Sequence, residues 1–246
     1  MNTPFRLKAN SAIKGLMPAL LIAAGLALGT MSVQADQPGG VLRPNRTLQG
    51  QTYGQWSAAW WQWSLSHPVA GHPFVDDPSF NVASGQSGNV WFLASPFGTV
   101  ERHVTIPRGK SLVIGLLNAE ASDLEGLGAT EAEQRDTAKF LADHIVNVSC
   151  KVDGERIHDI GDYRVASPQF PFAAPTPWIF GDTGGAGTAV ADGYFVILKP
   201  LSKGRHTIRI RGSFHFSVAE GDPFDFDAAA DVTYHLTVRE AGHGEH

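Results

Sequence analysis

The chain has 246 residues, a formal net charge of −5, 43% hydrophobic and 17% charged residues, and one cysteine. Such a composition is globular, and the length fits one large all-β domain or two smaller ones whose cores need no disulfide staples. The acidic balance excludes a surface built for phosphate backbones or anionic membranes.

Residues 1–35 set Arg6, Lys8 and Lys14 ahead of an apolar run at 16–28 and end in Val33-Gln34-Ala35, the layout of a secretory signal cleaved before Asp36. The apolar run is shorter than the roughly 20 residues that span a bilayer. The processed chain is therefore expected to be secreted or periplasmic, with no membrane insertion. Losing three basic residues leaves 16 against 24 acidic ones, a net charge of −8, which argues further against nucleic acid as a partner. Cys150 alternates with Val146, Val148 and Val152, a pattern expected to put an inert thiol on the apolar side of a strand.

Residues 36–51, with Pro38, Gly39, Gly40 and Pro44, read as an extended or mobile leader. Thr52 and Gln55 then form a capping box that predicts a helix over 53–66, closed by Pro68. Tyr53, Trp56, Trp60 and Trp63 make one aromatic stripe, and Trp61 lies off it. The stripe suits burial against β-structure, whereas Trp61 with a neighbour also suits a stacking platform for a sugar or other flat ligand. His67 and His72, just past the helix, are expected to face solvent.

From residue 89 the pattern turns to β. Runs at 90–94, 100–106 and 111–117 read as three successive antiparallel strands, with a turn at Pro107-Arg108-Gly109-Lys110 between the second and third. A second capping box, Thr130 with Glu133, predicts a helix over 131–145 with Ala138, Leu141, Ala142 and Ile145 on one face. Asp153-Gly154 predicts a two-residue hairpin between 147–152 and 155–160. Residues 167–192 are rich in proline, glycine and aromatics and show neither period, so they read as a packed loop over the sheet with a binding or lid role open to them. Further strands are expected at 193–198, 205–216 and 231–239, the second carrying Arg205, Arg209 and Arg211 on a solvated face, and 241–246 form a polar tail. The fold class expected is mainly β, an antiparallel β-sandwich or jelly-roll-like domain over 52–240 with two inserted or capping helices.

Trp56-Ser57-Ala58-Ala59-Trp60-Trp61-Gln62-Trp63, then Gly88-Asn89-Val90-Trp91-Phe92-Leu93-Ala94, then Ile106-Pro107-Arg108-Gly109-Lys110, together with residues 192–212, give the chain a resemblance. It resembles a group of exported microbial proteins that share a Trp-rich helix and a following Trp-bearing strand. The resemblance implies export and a β-rich fold and brings no catalytic residue with it. Members of that group carry extra cysteines around the strand before Ile106, where this chain has His103, so a disulfide of that kind is absent here.

Several segments bear on chemistry. Asn118, Glu120, Asp123 and Glu125 follow an apolar strand, and their oxygens suit Ca²⁺, acid/base hydrolysis or plain solvation. Asp225 and Asp227 form a second acidic run in which Ca²⁺ is again an option beside a simple acidic connection. His215 with Glu220 is only part of a cupin-like set, because the His-x-His pair is missing. His158, Asp159 and Asp162 lie together near a strand end, and His243 and His246 sit in the tail. There is no Gly-x-Ser-x-Gly elbow, and Gly184, Gly185 and Gly187 lack the strand and helix of a phosphate loop.

The expectation is thus an exported binding or structural protein with a glycan or cell-envelope partner, carbohydrate being the favoured ligand class. Trp61, Trp178, Asn118 and Glu120 are its candidate contacts, and no cofactor is expected beyond the Ca²⁺ option. The alternative is a polysaccharide-acting hydrolase or lyase, with Glu120 and Asp123 as acid/base residues and His103 or His215 as helpers.

Overall fold

The structure, a computed structural model, describes residues 37–75, 77 and 80–240. The expected signal at 1–35 and the tail at 241–246 lie outside the described residues. The fold is mainly β. In chain order its strands are β1 (Val90–Leu93), β2 (Gly98–Pro107), β3 (Ser111–Ser122), β4 (Ile145–Val152), β5 (Glu155–Arg156), β6 (Arg164–Ala166), β7 (Phe170–Ala174), β8 (Gly185–Leu198), β9 (Gly204–Phe216) and β10 (Phe226–Arg239). They form two mixed sheets. The first runs β1-β3-β8-β6 with β7 also paired to β8, and the second runs β2-β10-β9-β4-β5.

Both helices start at the predicted capping boxes. α1 (Tyr53–Leu65) opens with Thr52 N–H donating to Gln55 Oε1 at 2.8 Å and Gln55 N–H donating to Thr52 Oγ1 at 3.3 Å. α2 (Glu131–Asp143) opens with the same exchange between Thr130 and Glu133. It stops two residues earlier than its apolar pattern suggests, because His144 folds back onto Phe140 O at 2.7 Å and Ile145 already belongs to β4. The hairpin at Asp153-Gly154 joins β4 to the very short β5, with both turn residues at positive φ as a two-residue turn of this kind requires.

The expectation of an all-antiparallel arrangement is corrected in two places: β1 lies parallel to β3, and β2 lies parallel to β10. β2 and β3 do not pair at all, since they belong to different sheets. Their burial differs accordingly. β2 alternates, with Val100, Arg102, Val104 and Ile106 inside and its other residues outside, whereas Ser111 to Leu117 of β3 are buried on both faces. β2 thus has one wet face and β3 none over this stretch, and the turn at residues 107–110 carries the chain from the second sheet to the first.

Residues 167–192 are corrected as well, for they contain β7 and the first half of β8. Their period is hidden because small residues lie beneath aromatic ones. A Cβ on Gly187 would sit 2.9 Å from the Phe172 ring and 2.7 Å from Asp123 Oδ1. The leader is tied down along its described length. Leu42 N–H donates to Ile197 O at 2.9 Å, Tyr53 Oη–H donates to Leu42 O at 2.6 Å, and Trp56 Nε1–H donates to Leu48 O at 3.0 Å. In β4 a bulge after Val146, with Asn147 at φ 57°, shifts the alternation. Val146 is consequently exposed while Cys150 and Val152 stay buried.

The first sheet is covered on both faces. Trp60 packs at 5.6 Å on Phe195 of β8, and a Cβ on Gly115 of β3 would stand 2.6 Å from the Trp60 ring, so α1 lies on that face. On the opposite face Ala121 and Val190 meet Ala138 of α2, and farther along Leu117 reaches Gly212 of β9. Trp56, Trp60, Trp61 and Trp63 are all buried, and each removes about 150–250 Å² from water, a gross gain on the order of 5 kcal/mol per side chain. The inner faces of both sheets belong to one continuous apolar cluster.

Candidate functional site

Two polar clusters stand out from this framework, one sealed and one open. The sealed cluster grows from the end of β3. Glu120 pairs with Ala191 of β8 beyond the register shift that follows Gly115, and alternation along β8 puts Ala191, and with it Glu120, on the Phe195 face that carries α1. It is 4% exposed, and apart from Glu125 neither of its oxygens meets a hydrogen-bond partner. Burial raises its carboxyl well above the ordinary carboxylate range, and the neighbouring charges of Glu125 and Asp123 add to the effect.

Glu125 is held by Ser122, whose hydroxyl donates to Glu125 Oε2 at 2.6 Å. Its carboxyl is also raised, mainly by burial, although the bonds from Glu120 and Ser122 oppose the shift. Burial thus pushes both neighbouring carboxyls toward their neutral forms, Glu120 the more strongly. Asp123 is not part of this pair. It points outward and accepts from Thr188 N–H at 2.8 Å and Thr188 Oγ1–H at 3.0 Å. Asn118 flanks the bulge at Gly193, where a Cβ would come within 2.5 Å of the Asn118 Cβ.

Two neighbouring carboxyls in a buried setting are the equipment of acid/base catalysis, but the expected helpers are elsewhere. His103 and His215 lie on the outer face of the second sheet. His215 Nδ1 is bonded to Asp227 Oδ1 at 2.7 Å, a contact that raises its pKa. Asp225 and Asp227, the residues of the Ca²⁺ option, have separate partners. Asp225 accepts from Val218 N–H at 2.8 Å to close its own turn, while Asp227 is taken by His215.

The stacking platform is corrected too. Trp61 and Trp178 are 2% and 3% exposed. Phe74 stands edge-on to Trp61 at 5.5 Å, and Trp178 lies between Phe172 and Phe180 at 5.8 and 5.5 Å. Neither ring presents a face to a sugar. His67 and His72 are also buried rather than exposed. Phe74 N–H donates to His72 Nδ1 at 3.1 Å, so Nε2–H is left to donate to Ser64 O at 3.1 Å. Burial depresses the pKa of this imidazole to about 3.

A polar pocket of about 310 Å³ on the α2 side is lined by Lys139, Asp143, Arg164 and Asp192. Its charges are spent on one another: Arg164 binds Asp192 at 2.9 and 3.1 Å and Asp143 at 2.8 Å, and Lys139 binds Asp143 at 2.6 Å.

The open cluster belongs to the outer face of the second sheet. Glu101, His103 and Thr105 of β2 lie there beside Asp231, Thr233, His235 and Thr237 of β10, then Arg205, Thr207, Arg209 and Arg211 of β9. Asp231 is gripped by Arg209 and Arg211 and is held down to a pKa of about 2 by those bonds. Across the β2–β10 seam the His103 and His235 rings stack at 4.7 Å. Of these groups the sequence points to the arginine stripe and His103, but not to Glu101, Asp231 or His235. Alternation marks each as outward-facing, yet only the long-range strand pairing brings them together.

No protein-family model matches the chain, and no curated protein does. Among solved structures it is similar to a cysteine protease inhibitor, EhICP2, from Entamoeba histolytica, at 13% identity, covering 61% of this chain and 96% of that one with a TM-score of 0.20. It is also similar to amebosin, at 10% identity, 58% and 99% coverage and a TM-score of 0.16. Likenesses this slight leave the functional reading to rest on the residues themselves.

Proposed function

We propose that the chain is an exported binding protein of the periplasm or cell surface, built as a β-sandwich, with the outer face of its second sheet as the contact surface and carbohydrate as the ligand class. The observation that carries this reading is the character of that face. It alternates along β2, β9 and β10, leaving threonine hydroxyls, imidazoles, carboxylates and guanidinium groups pointing outward in rows fixed by the strands. Such rows supply both donors and acceptors at fixed spacing, which is what a polyhydroxylated chain lying across the strands requires. The signal-like layout of residues 1–35 supports export.

The test is thermal unfolding of residues 36–246 against a panel of polysaccharides and oligosaccharides, since a ligand that binds only the folded state raises the midpoint. The reading expects a shift with at least one glycan, and loss of that shift in Arg209→Ala and Arg205→Ala with folding unchanged. A flat panel, or a shift indifferent to both variants, removes the outer face as the binding surface.

A second reading, a hydrolase or lyase, draws support from the buried Glu120 beside Glu125, both with carboxyls raised by burial. It requires an opening to a carboxyl that is closed off here. Glu120→Gln separates the two ideas: turnover of a glycan that disappears while binding persists favours the enzyme, and binding with no turnover in the parent chain favours the binding protein.

A further inference from the structure

The parallel pairing of β2 with β10 sets His103 directly beside His235, and the two-residue alternation of β2 puts Glu101 on the same face. One ligand atom from each of the three residues lies within 4.8 Å of the others, and His235 Nε2 is 3.8 Å from Glu101 Oε2. Neither imidazole has a hydrogen bond to another described residue. This sets the pair apart from His67, His72, His144, His206 and His215, whose ring nitrogens are engaged by backbone carbonyls, a backbone N–H or aspartates.

We propose that Glu101, His103 and His235 form a binding site for a divalent transition-metal ion, with Zn²⁺ the ion best suited. Two neutral imidazoles and one carboxylate are a donor set that zinc accepts, at about 2.0–2.2 Å from each ligand atom. Closing from the present separations takes side-chain rotation alone, because Glu101 and His103 are exposed, His235 is half-exposed and all three backbones are fixed in the sheet. Three protein ligands leave a fourth position for water or for an oxygen of a bound molecule. Arg209 lies close enough to Glu101 to feel its charge, but its hydrogen bonds go to Asp231. The site is independent of the carbohydrate reading, since it concerns the ion alone.

The experiment is calorimetric titration of Zn²⁺ into untagged residues 36–246, with Co²⁺ absorption as a second readout of coordination. His243 and His246 of the tail could compete, so the parent carries both as alanine. One ion per chain is expected, with affinity falling at least tenfold in His103→Ala and in His235→Ala and by a smaller factor in Glu101→Gln. All three replacements lie on the surface, and melting in the presence of a chelator should match the parent. Affinity should also fall as the solution is acidified, because the ion binds only neutral imidazole and so competes with protons. Absence of binding by the tail-substituted parent, or affinity unchanged in both histidine variants, overturns the proposal.

Discussion

The two sheets are built from similar residues and live in opposite conditions. The first is covered by α1 on one face and by α2 and the second sheet on the other, so β3 and β8 read as nearly unbroken apolar runs. The second has one covered face and one wet face, and β2, β9 and β10 alternate cleanly. Polar groups therefore carry opposite meanings in the two places. A carboxyl in the first sheet is either pushed toward its neutral form by burial, as Glu120 is, or matched by a dedicated cation, as Asp192 is by Arg164. A carboxylate in the second remains charged and finds cations, as Asp231 does. The sealed sheet supplies stability, and the wet one supplies the groups that a partner can reach.

Substitutions should separate these conditions sharply. Trp60→Ala, which removes the ring packed between Gly115 and Phe195 and orphans Leu93 O, should lower stability by about 3–5 kcal/mol. Urea unfolding would measure it, and a loss below about 1 kcal/mol would mean that α1 is not part of the core.

The next largest effects are pH slopes. Glu120 has a raised carboxyl pKa, so the folded state binds more protons than the unfolded one, and its contribution is full at low pH and lost as pH rises above about 4.5. His72 acts in the other direction. Its pKa is depressed to about 3, so the unfolded chain binds more protons, and stability is lost as pH falls from about 6.5 toward 3. Between pH 4.5 and 6.5 the two slopes oppose each other, each at up to about 1.4 kcal/mol per pH unit. Glu120→Gln should expose the histidine slope as stability rising with pH. His72→Gln should expose the carboxyl slope as stability falling with pH. Denaturant midpoints across that window decide it, and parallel curves for both variants would deny the buried protonation states.

The smallest effect is expected on the wet face. His235→Ala and Thr233→Ala should each change stability by no more than about 0.5 kcal/mol, with circular dichroism melts identical to the parent. A larger loss would show that the outer rows are structural rather than available to a ligand.

Much of this could be seen in the sequence, and what could not has a common cause. The helix starts at Thr52 and Thr130, the turn at Asp153-Gly154 and the one-sided pattern of residues 205–216 are local, so neighbouring residues announce them. β7 and the first half of β8 escaped because Pro171 interrupts the apolar pattern of β7, and because glycine and alanine opposite Phe170 and Phe172 mimic a loop. The bulge at Asn147 displaced Val146 by a register shift that no composition signals. For the sites, the polar character of Glu120 was evident while its sealing depended on where α1 lay. The imidazole pair needed the partner of β2, which lies at the far end of the described chain.

That last pairing sets a kinetic condition on the molecule. Among the described residues β2 obtains a neighbour only when β10 is in place, and β10 follows all the other strands described. The entropic cost of closing so long a loop grows only logarithmically with its length, so the finished sheet loses little stability by it. The search for the contact is slow nonetheless, because non-local strand pairing dominates the folding rate. Until then β2 carries an unsatisfied ladder edge, and it should exchange its amide hydrogens early in refolding and be among the last segments to become protected.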